Sequence, residues 1–287
     1  RRTLAGVVRI MELVLLGTGC PSVDLDRHGP ANLVDCGPGC RLLIDCGSGV
    51  THRLLAAGCP GNEIDAVLLT HLHSDHIVDL FQLIISSWHQ GRDRPQRIFG
   101  PPGSKRYVDG LMALWAPELE QRIAHEKRPS IAALNVEVIE IADGQSLHFG
   151  ETVVHVVAVN HLPVRHAFGF IIQAQGARLA ISGDTTYCPA LIEAAQGVDM
   201  LLHEVLIHRE LPVVEGKRSV ETISAMQAYH TVSDEVGKVA AACKAGTLVL
   251  THFVPPKFDE ASLLEEVRRD FDGPVIIGHD LMRLNVS

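Results

Sequence analysis

The stretch VLLTHLHSDHIVDL, residues 67–80, decides how this chain is read. An apolar run of strand length leads into it, and Ile77, Leu80, Phe81, Ile84, Ile85 and Trp88 leave it at helical spacing. Between strand and helix stand His71, His73, Asp75 and His76. Imidazole nitrogen and carboxylate oxygen suit zinc, and also manganese or iron. The alternation puts His71 and His73 on one side of an extended turn, with Asp75 and His76 on the other at the helix start. That geometry can feed two metals. The plain alternative is a polar helix-entry turn capped by Ser74 or Asp75.

Two metals need further ligands, and three more apolar runs end on one. VAVNHLP ends at His161, LAISGDTT at Asp184 and LVLTHFVPP at His252. The expected first site is His71, His73 and His161. The second is Asp75, His76 and His252, with Asp184 spanning both. Two cations lower the pKa of a bridging water toward neutrality, giving a hydroxide nucleophile. Asp75 can hold that water and take its proton as general base. A second pair is His203–Glu204 in LLHEVL and His230 in AYHTVSDEVG, where Thr231 and Asp234 look like a capping box. If Glu204 meets His230, the carboxylate raises the imidazole pKa and the ring can protonate a leaving oxygen. Otherwise the two are a surface histidine and a solvated glutamate.

Outward from the motif, MELVLLG, ANLVDCG and RLLIDCGSG read as strands, and VTHRLLAAG as a helix closed by Gly58. QRIFGPPGSKRYVDGLMALW repeats strand, turn and helix. Residues 134–182 read as a meander of four strands. The last third alternates helices (188–196, VSDEVGKVAAACKAG, DEASLLEEVRRDF) with strands (VDMLLHE, TLVLTH, PVIIG). No linker interrupts this, so one α/β domain with two sheets and outer helices is expected over residues 11–287. Residues 1–10 are read as an N-terminal extension, with Met11 as the natural start.

The chain has 287 residues and a formal net charge of -9, which gives nucleic acid no bulk electrostatic attraction. No apolar run reaches membrane-span length. The seven cysteines (20, 36, 40, 46, 59, 188 and 243) include no Cys-x-x-Cys, so disulfides are not expected and a reducing cytoplasm is. Cys36, Cys40 and Cys46 are either a zinc knuckle or small buried thiols.

THLHSDH, His161, SGDT and LTHF, in this order, resemble the metallo-β-lactamase superfamily. LLGTGCPSVDLDRHGPANLV, LIDCGSG, IFGPPGSKRYVDGL, SGDTTYCPALIEAAQGVDMLLHEVL and YHTVSDEVGKVAAACKAGTLVLTHFVP are similar to its ribonuclease Z and arylsulfatase-like branch. The resemblance implies a four-layer αββα sandwich, a dinuclear centre with two Zn2+ per chain (Mn2+ or Fe2+ as substitutes), and hydrolysis. It also places Glu204 and His230 where ribonuclease Z has the Glu of a His-Glu-Ala-Thr motif and its partner, the proposed proton donor. HEVL departs from that motif. Asp184 stands where true β-lactamases commonly have cysteine, which argues against antibiotic hydrolysis. The interval between His161 and Asp184 leaves no room for the long tRNA-gripping arm of bacterial ribonuclease Z, and a Pro-x-Lys-x-Arg-Asn loop is not evident.

The expected function is therefore hydrolysis of a small anionic ester, a phosphodiester or aryl sulfate. The alternatives are tRNA 3′ processing, lactone or cyclic amide hydrolysis, and a metal-bound scaffold without activity. The expected partners are a small ester substrate and a second copy of the chain, with neither tRNA nor membrane. Residues 88–129, with Arg92, Arg94 and Trp115, and residues 205–229 are candidates for a pocket rim, lid or dimer contact.

Overall fold

The computed structural model describes residues 10–287, so the expected extension 1–10 lies outside the described residues but for Ile10. The first sheet contains β1 (Met11–Gly17), β2 (Ala31–Asp35), β3 (Arg41–Ile44), β4 (Ala66–Leu68), β5 (Gln96–Gly100) and β6 (Val136–Glu140). The second contains β7 (Ser146–Phe149), β8 (Thr152–Ala158), β9 (Phe168–Ala174), β10 (Ala177–Ile181), β11 (Met200–Leu206), β12 (Thr247–Val254) and β13 (Val275–Ile277). A last strand, β14 (Met282–Val286), returns to the first sheet. The orders are β14-β1-β2-β3-β4-β5-β6 and β13-β12-β11-β10-β9-β8-β7.

In each sheet one half is antiparallel and the other parallel. Pairing is parallel from β3 through β6 and from β10 through β13. Parallel strands need crossovers, which are helices covering the outer faces. On the first sheet these are α1 (Val50–Ala56), α2 (Ser74–Ile77), α3 (Leu80–His89) and α4 (Ser104–Glu126). The second carries α5 (Pro189–Ala194), α7 (Val236–Cys243) and α8 (Glu260–Val267), with α6 (Val220–Gln227) in the connection before α7.

Alternation along the strands builds three apolar layers. Met11, Leu13 and Leu15 of β1 meet Met200, Leu202 and Val249 between the sheets. Val14 and Leu16 face outward to Leu54 of α1 and Leu83 of α3. Leu201, Leu248 and Leu250 face outward to Val239 of α7 and Leu263 of α8. Strands buried on both faces read as unbroken apolar runs, which is why MELVLLG and TLVLTHFV lack a polar phase. The fold is the four-layer αββα sandwich expected from the sequence.

Several local expectations are corrected. The helix after the motif is two pieces, because Asp79 N–H donates to Cys46 O at 3.1 Å and its carboxylate accepts from Thr51 N–H at 2.7 Å. β6 leaves the expected meander and pairs with β5. Helix α7 starts at Val236 without a side-chain cap, so Thr231 and Asp234 form no capping box. Instead the Thr231 hydroxyl donates to Thr185 O at 2.7 Å. Cys36 and Cys40 lie between the sheets while Cys46 lies under the outer helices, which separates the three thiols of the expected zinc knuckle. All seven cysteines are buried and unpaired. Residues 88–129 are mostly β5 and α4. Within them Arg92 is buried and donates to the carbonyls of Ile64, Arg94 and Pro95, which staples the segment before β5 to the end of the loop that precedes β4. Among the described residues no helix is long and apolar enough to cross a membrane.

Candidate metal centre

The candidate ligands meet at one end of the two sheets, where the chain leaves the strands. His71, His73, Asp75 and His76 follow β4, and Asp184 follows β10. His161 follows β8, and His252 lies within β12. The β11–β12 register shifts here: Glu204 pairs Thr251 and Val205 pairs Phe253, so His252 is the extra residue of a bulge, at φ 46°. A bulge re-aims a side chain, and a positive φ at a non-glycine residue is local strain that marks a functional position. The bulge turns the His252 ring toward His76.

The donor atoms of the candidate ligands gather in three overlapping groups, one of which joins Asp184 to His230 and His252. His71, His73, His161 and Asp184 offer donor atoms within 4.8 Å of one another, and so do Asp75, His76 and His252. Asp184 Oδ2 sits between the groups, 3.8 Å from His71 Nε2, 3.9 Å from His161 Nε2, 3.5 Å from His76 Nε2 and 3.6 Å from His252 Nε2. His161 Nε2 and His73 Nδ1 are 3.2 Å apart, as are His76 Nε2 and His252 Nε2. Buried His71 Nε2 has no hydrogen-bond partner among the described residues. Converging ring nitrogens with two carboxylates among them fit divalent cations better than they fit each other.

Three of the rings are anchored on their far sides, as metal ligands commonly are, while buried His252 Nδ1 has no partner among the described residues. His76 Nδ1 lies 2.8 Å from Asp45 Oδ2, and His161 Nδ1 lies 2.7 Å from Tyr229 O. His71 Nδ1 lies 3.0 Å from the Thr70 hydroxyl, which donates to Asp45. Burial holds the His71, His73 and His161 imidazoles below their ordinary value, keeping their lone pairs free. Burial opposes charge on His76 and Asp184 too, yet each favours the charged form of the other: His76 is raised and Asp184 lowered, the latter also by His252.

Glu204 and His230 are brought together as well. His230 Nδ1 lies 3.0 Å from Glu204 Oε1, and both are buried. Burial works against the imidazolium, but Glu204 and then Asp184 outweigh it and raise His230 to about 9. His230 Nδ1 is 3.9 Å from Asp184 Oδ2, so this pair borders the ligand cluster. His203 points away: its Nδ1 bonds Glu204 O at 2.7 Å.

Two participants escaped the sequence reading. Asp45 closes β3 at φ 62° and collects Thr70 N–H, the Thr70 hydroxyl and His76. Its one signal is an aspartate ending an apolar strand, as Asp184 does. Tyr229, beside His230, holds His161 through its carbonyl and packs its ring 5.0 Å from that imidazole. No pattern in residues 205–229 marks it.

Comparison with known proteins agrees with the architecture. Residues 11–214 match the model of a family described as Anti-Pycsar protein Apyc1. Ribonuclease Z of Mycobacterium marinum is 36% identical over 286 residues, covering 96% of this chain and 99% of that one. The metallo-β-lactamase fold protein YhfI of Bacillus subtilis superposes with a TM-score of 0.72 at 22% identity, over 96% of this chain and 99% of its own. The short form of human tRNase Z gives 0.70 at 20% identity, over 96% and 100%.

Proposed function

The chain belongs to the metallo-β-lactamase superfamily, in its ribonuclease Z-like branch, and from that premise we propose that this metal-dependent hydrolase cleaves a phosphodiester bond. The observation that carries the reading is the His230–Glu204 pair beside the ligand cluster. A phosphodiester needs both an activated water and a proton for the departing oxygen, and the two are supplied from different residues here. Phosphorus is preferred to sulfur as the centre attacked, because the whole-length relative is named a ribonuclease. We assign two zinc ions, with manganese or iron as substitutes, to the nitrogen and oxygen donors of His71, His73 and His161 and of Asp75, His76 and His252, with Asp184 shared. We place the enzyme in the cytoplasm on its seven unpaired thiols.

Divalent ions in this donor set would acidify a water and neutralise charge building on the phosphate oxygens. The protein's own share is positional. Asp75 Oδ2, 3.4 Å from His252 Nε2 and 3.5 Å from His76 Nε2, holds the attacking water and accepts its proton. His230, oriented by Glu204 through Nδ1, gives a proton to the leaving oxygen from its other nitrogen. Burial of both excludes bulk water from that transfer.

For the substrate, 3′ processing of a tRNA precursor is the first reading, favoured by a relative of this size named ribonuclease Z. A small phosphodiester is the second. It is favoured by the net charge of -9 and by the interval between His161 and Asp184, which holds only the β9–β10 hairpin. Zinc-loaded protein presented with a tRNA precursor and with bis(p-nitrophenyl) phosphate decides between them. Turnover of neither, with metal content verified, sinks the phosphodiester reading.

A further inference from the structure

The layer between the apolar core and the candidate metal centre is polar, and strand alternation puts it there. Val34 of β2, Leu202 of β11 and Val249 of β12 point into the core between the sheets. Two positions along each strand, on the same face, stand Asn32, Glu204 and Thr251. Glu204 and Thr251 are register partners on neighbouring strands, and Asn32 reaches them from the other sheet. Together with His252 they line a cavity of about 20 Å³.

Each of these four residues brings a buried atom with no hydrogen-bond partner among the described residues: Asn32 Oδ1, Glu204 Oε2, Thr251 Oγ1 and His252 Nδ1. The residues are 7%, 1%, 8% and 3% exposed. Buried polar groups are ordinarily paired, so four orphans on one small cavity point to a shared partner. The Glu204 carboxylate is loaded on one side only. Its Oε1 accepts from Thr185 N–H at 3.2 Å and Thr231 N–H at 3.0 Å and faces His230 Nδ1 at 3.0 Å, while Oε2 accepts from no described residue. The Asp45 carboxylate on the same cavity is already filled by Thr70 and His76.

The donors and acceptors identify that partner. Glu204 Oε2 and Asn32 Oδ1 accept only. His252 meets the other candidate ligands through Nε2, so its neutral ring carries the proton on Nδ1 and donates there. The Thr251 hydroxyl can do either. The occupant must therefore give two hydrogen bonds and receive one or two. A cation cannot receive one, and an anion would face the Glu204 carboxylate. Water does both, and about 20 Å³ admits a single molecule. We propose that this cavity holds one structural water, which donates to Glu204 Oε2 and Asn32 Oδ1 and accepts from His252 Nδ1–H and the Thr251 hydroxyl, so that Thr251 and Asn32 are positioning residues for the ligand His252. Glu204 then serves twice. One oxygen orients His230, and the other holds His252 through the water. The proposal rests on the metal assignment above and not on the bond cleaved.

The test has two arms. The first is a crystal structure of zinc-treated wild-type protein at a resolution that shows waters. Solvent density within about 3.2 Å of both His252 Nδ1 and Glu204 Oε2 is expected. A dry cavity, or solvent that does not reach both atoms, overturns the proposal. The second is chelator competition, with thermal melts alongside, on wild type, Thr251→Val and Thr251→Ser. Valine keeps the shape and removes the hydroxyl. Affinity for one of the two zinc ions should fall about tenfold in Thr251→Val while the other holds, and Thr251→Ser should restore it. Asn32→Ala removes an acceptor and should act the same way, which keeps the arm decisive if Thr251→Val does not fold. Unchanged affinity, an equal loss at both ions, or a loss that Thr251→Ser does not restore overturns the positioning role. If the protein takes up no zinc, the metal reading falls and the positioning role with it. Zinc bound beside a dry cavity sinks the water and leaves the metal reading standing.

Discussion

Asp45 Oδ2 lies 2.8 Å from Nδ1 of His76, so a candidate ligand histidine of the second group is aimed by a carboxylate outside the His-x-His-x-Asp-His motif. Asp45→Asn keeps every candidate ligand but removes that anchor's charge. Metal affinity should fall by about 10–100-fold, the usual weight of such a partner. Chelator competition measures it, and a thermal melt separates it from unfolding.

His76→Ala and His73→Ala should each lower metal content from two ions to one, by emptying different sites. His76 stands with Asp75 and His252, and His73 with His71 and His161. Elemental analysis after dialysis reads the stoichiometry. Two ions per chain in both variants would show the division to be wrong.

His230→Ala and Glu204→Gln should lower kcat by about 10²–10⁴-fold while metal content stays intact, the range for a positioned acid. The loss should be larger for alkyl leaving groups than for p-nitrophenolate, which departs without a proton. A loss independent of the leaving group would remove His230 from the acid role.

In metal-free protein the His230 ring should titrate near its raised value of about 9. The proton stabilises the fold fully below the ordinary value of 6.5, and that contribution is lost as pH rises through about 9. Glu204→Gln should lower the titration point, and so should zinc loading, because adjacent cations oppose an imidazolium. Ring-proton NMR follows all three.

Gly47→Ala places a methyl group 2.5 Å from Asp75 O and 2.6 Å from Gly29 C. Neither backbone can yield without moving the ligand turn. Stability should drop by about 1–3 kcal/mol, as overpacking does, and metal affinity should drop with it. Urea melts with and without zinc test both.

The candidate ligands could be picked out because each lies at or near the end of an apolar strand, and those ends meet at one end of the two sheets. His161, Asp184 and His252 are far apart in the chain but share that position. Asp45 shares it too, but no neighbouring histidine drew attention to it. What remained hidden depends on long-range pairing. β6 joins β5 and not β7, although VEVIE alternates like its neighbours. The break between α2 and α3 is set by contacts of Asp79 with residues 46 and 51, invisible to helical periodicity. Thr231 and Asp234 have capping-box chemistry, but Glu204 and Thr185 claim Thr231 first.

The pairing of β14 with β1 joins residues 282–286 to residues 11–15. Loop-closure entropy makes so long-range a contact slow to find. Asp280, which fixes His28 and Thr18, sits just before that strand. The loop that carries Thr18 and His28 is therefore held by a residue about 250 positions away in the chain, and its rigidity depends on the β1–β14 pairing and not on its own sequence.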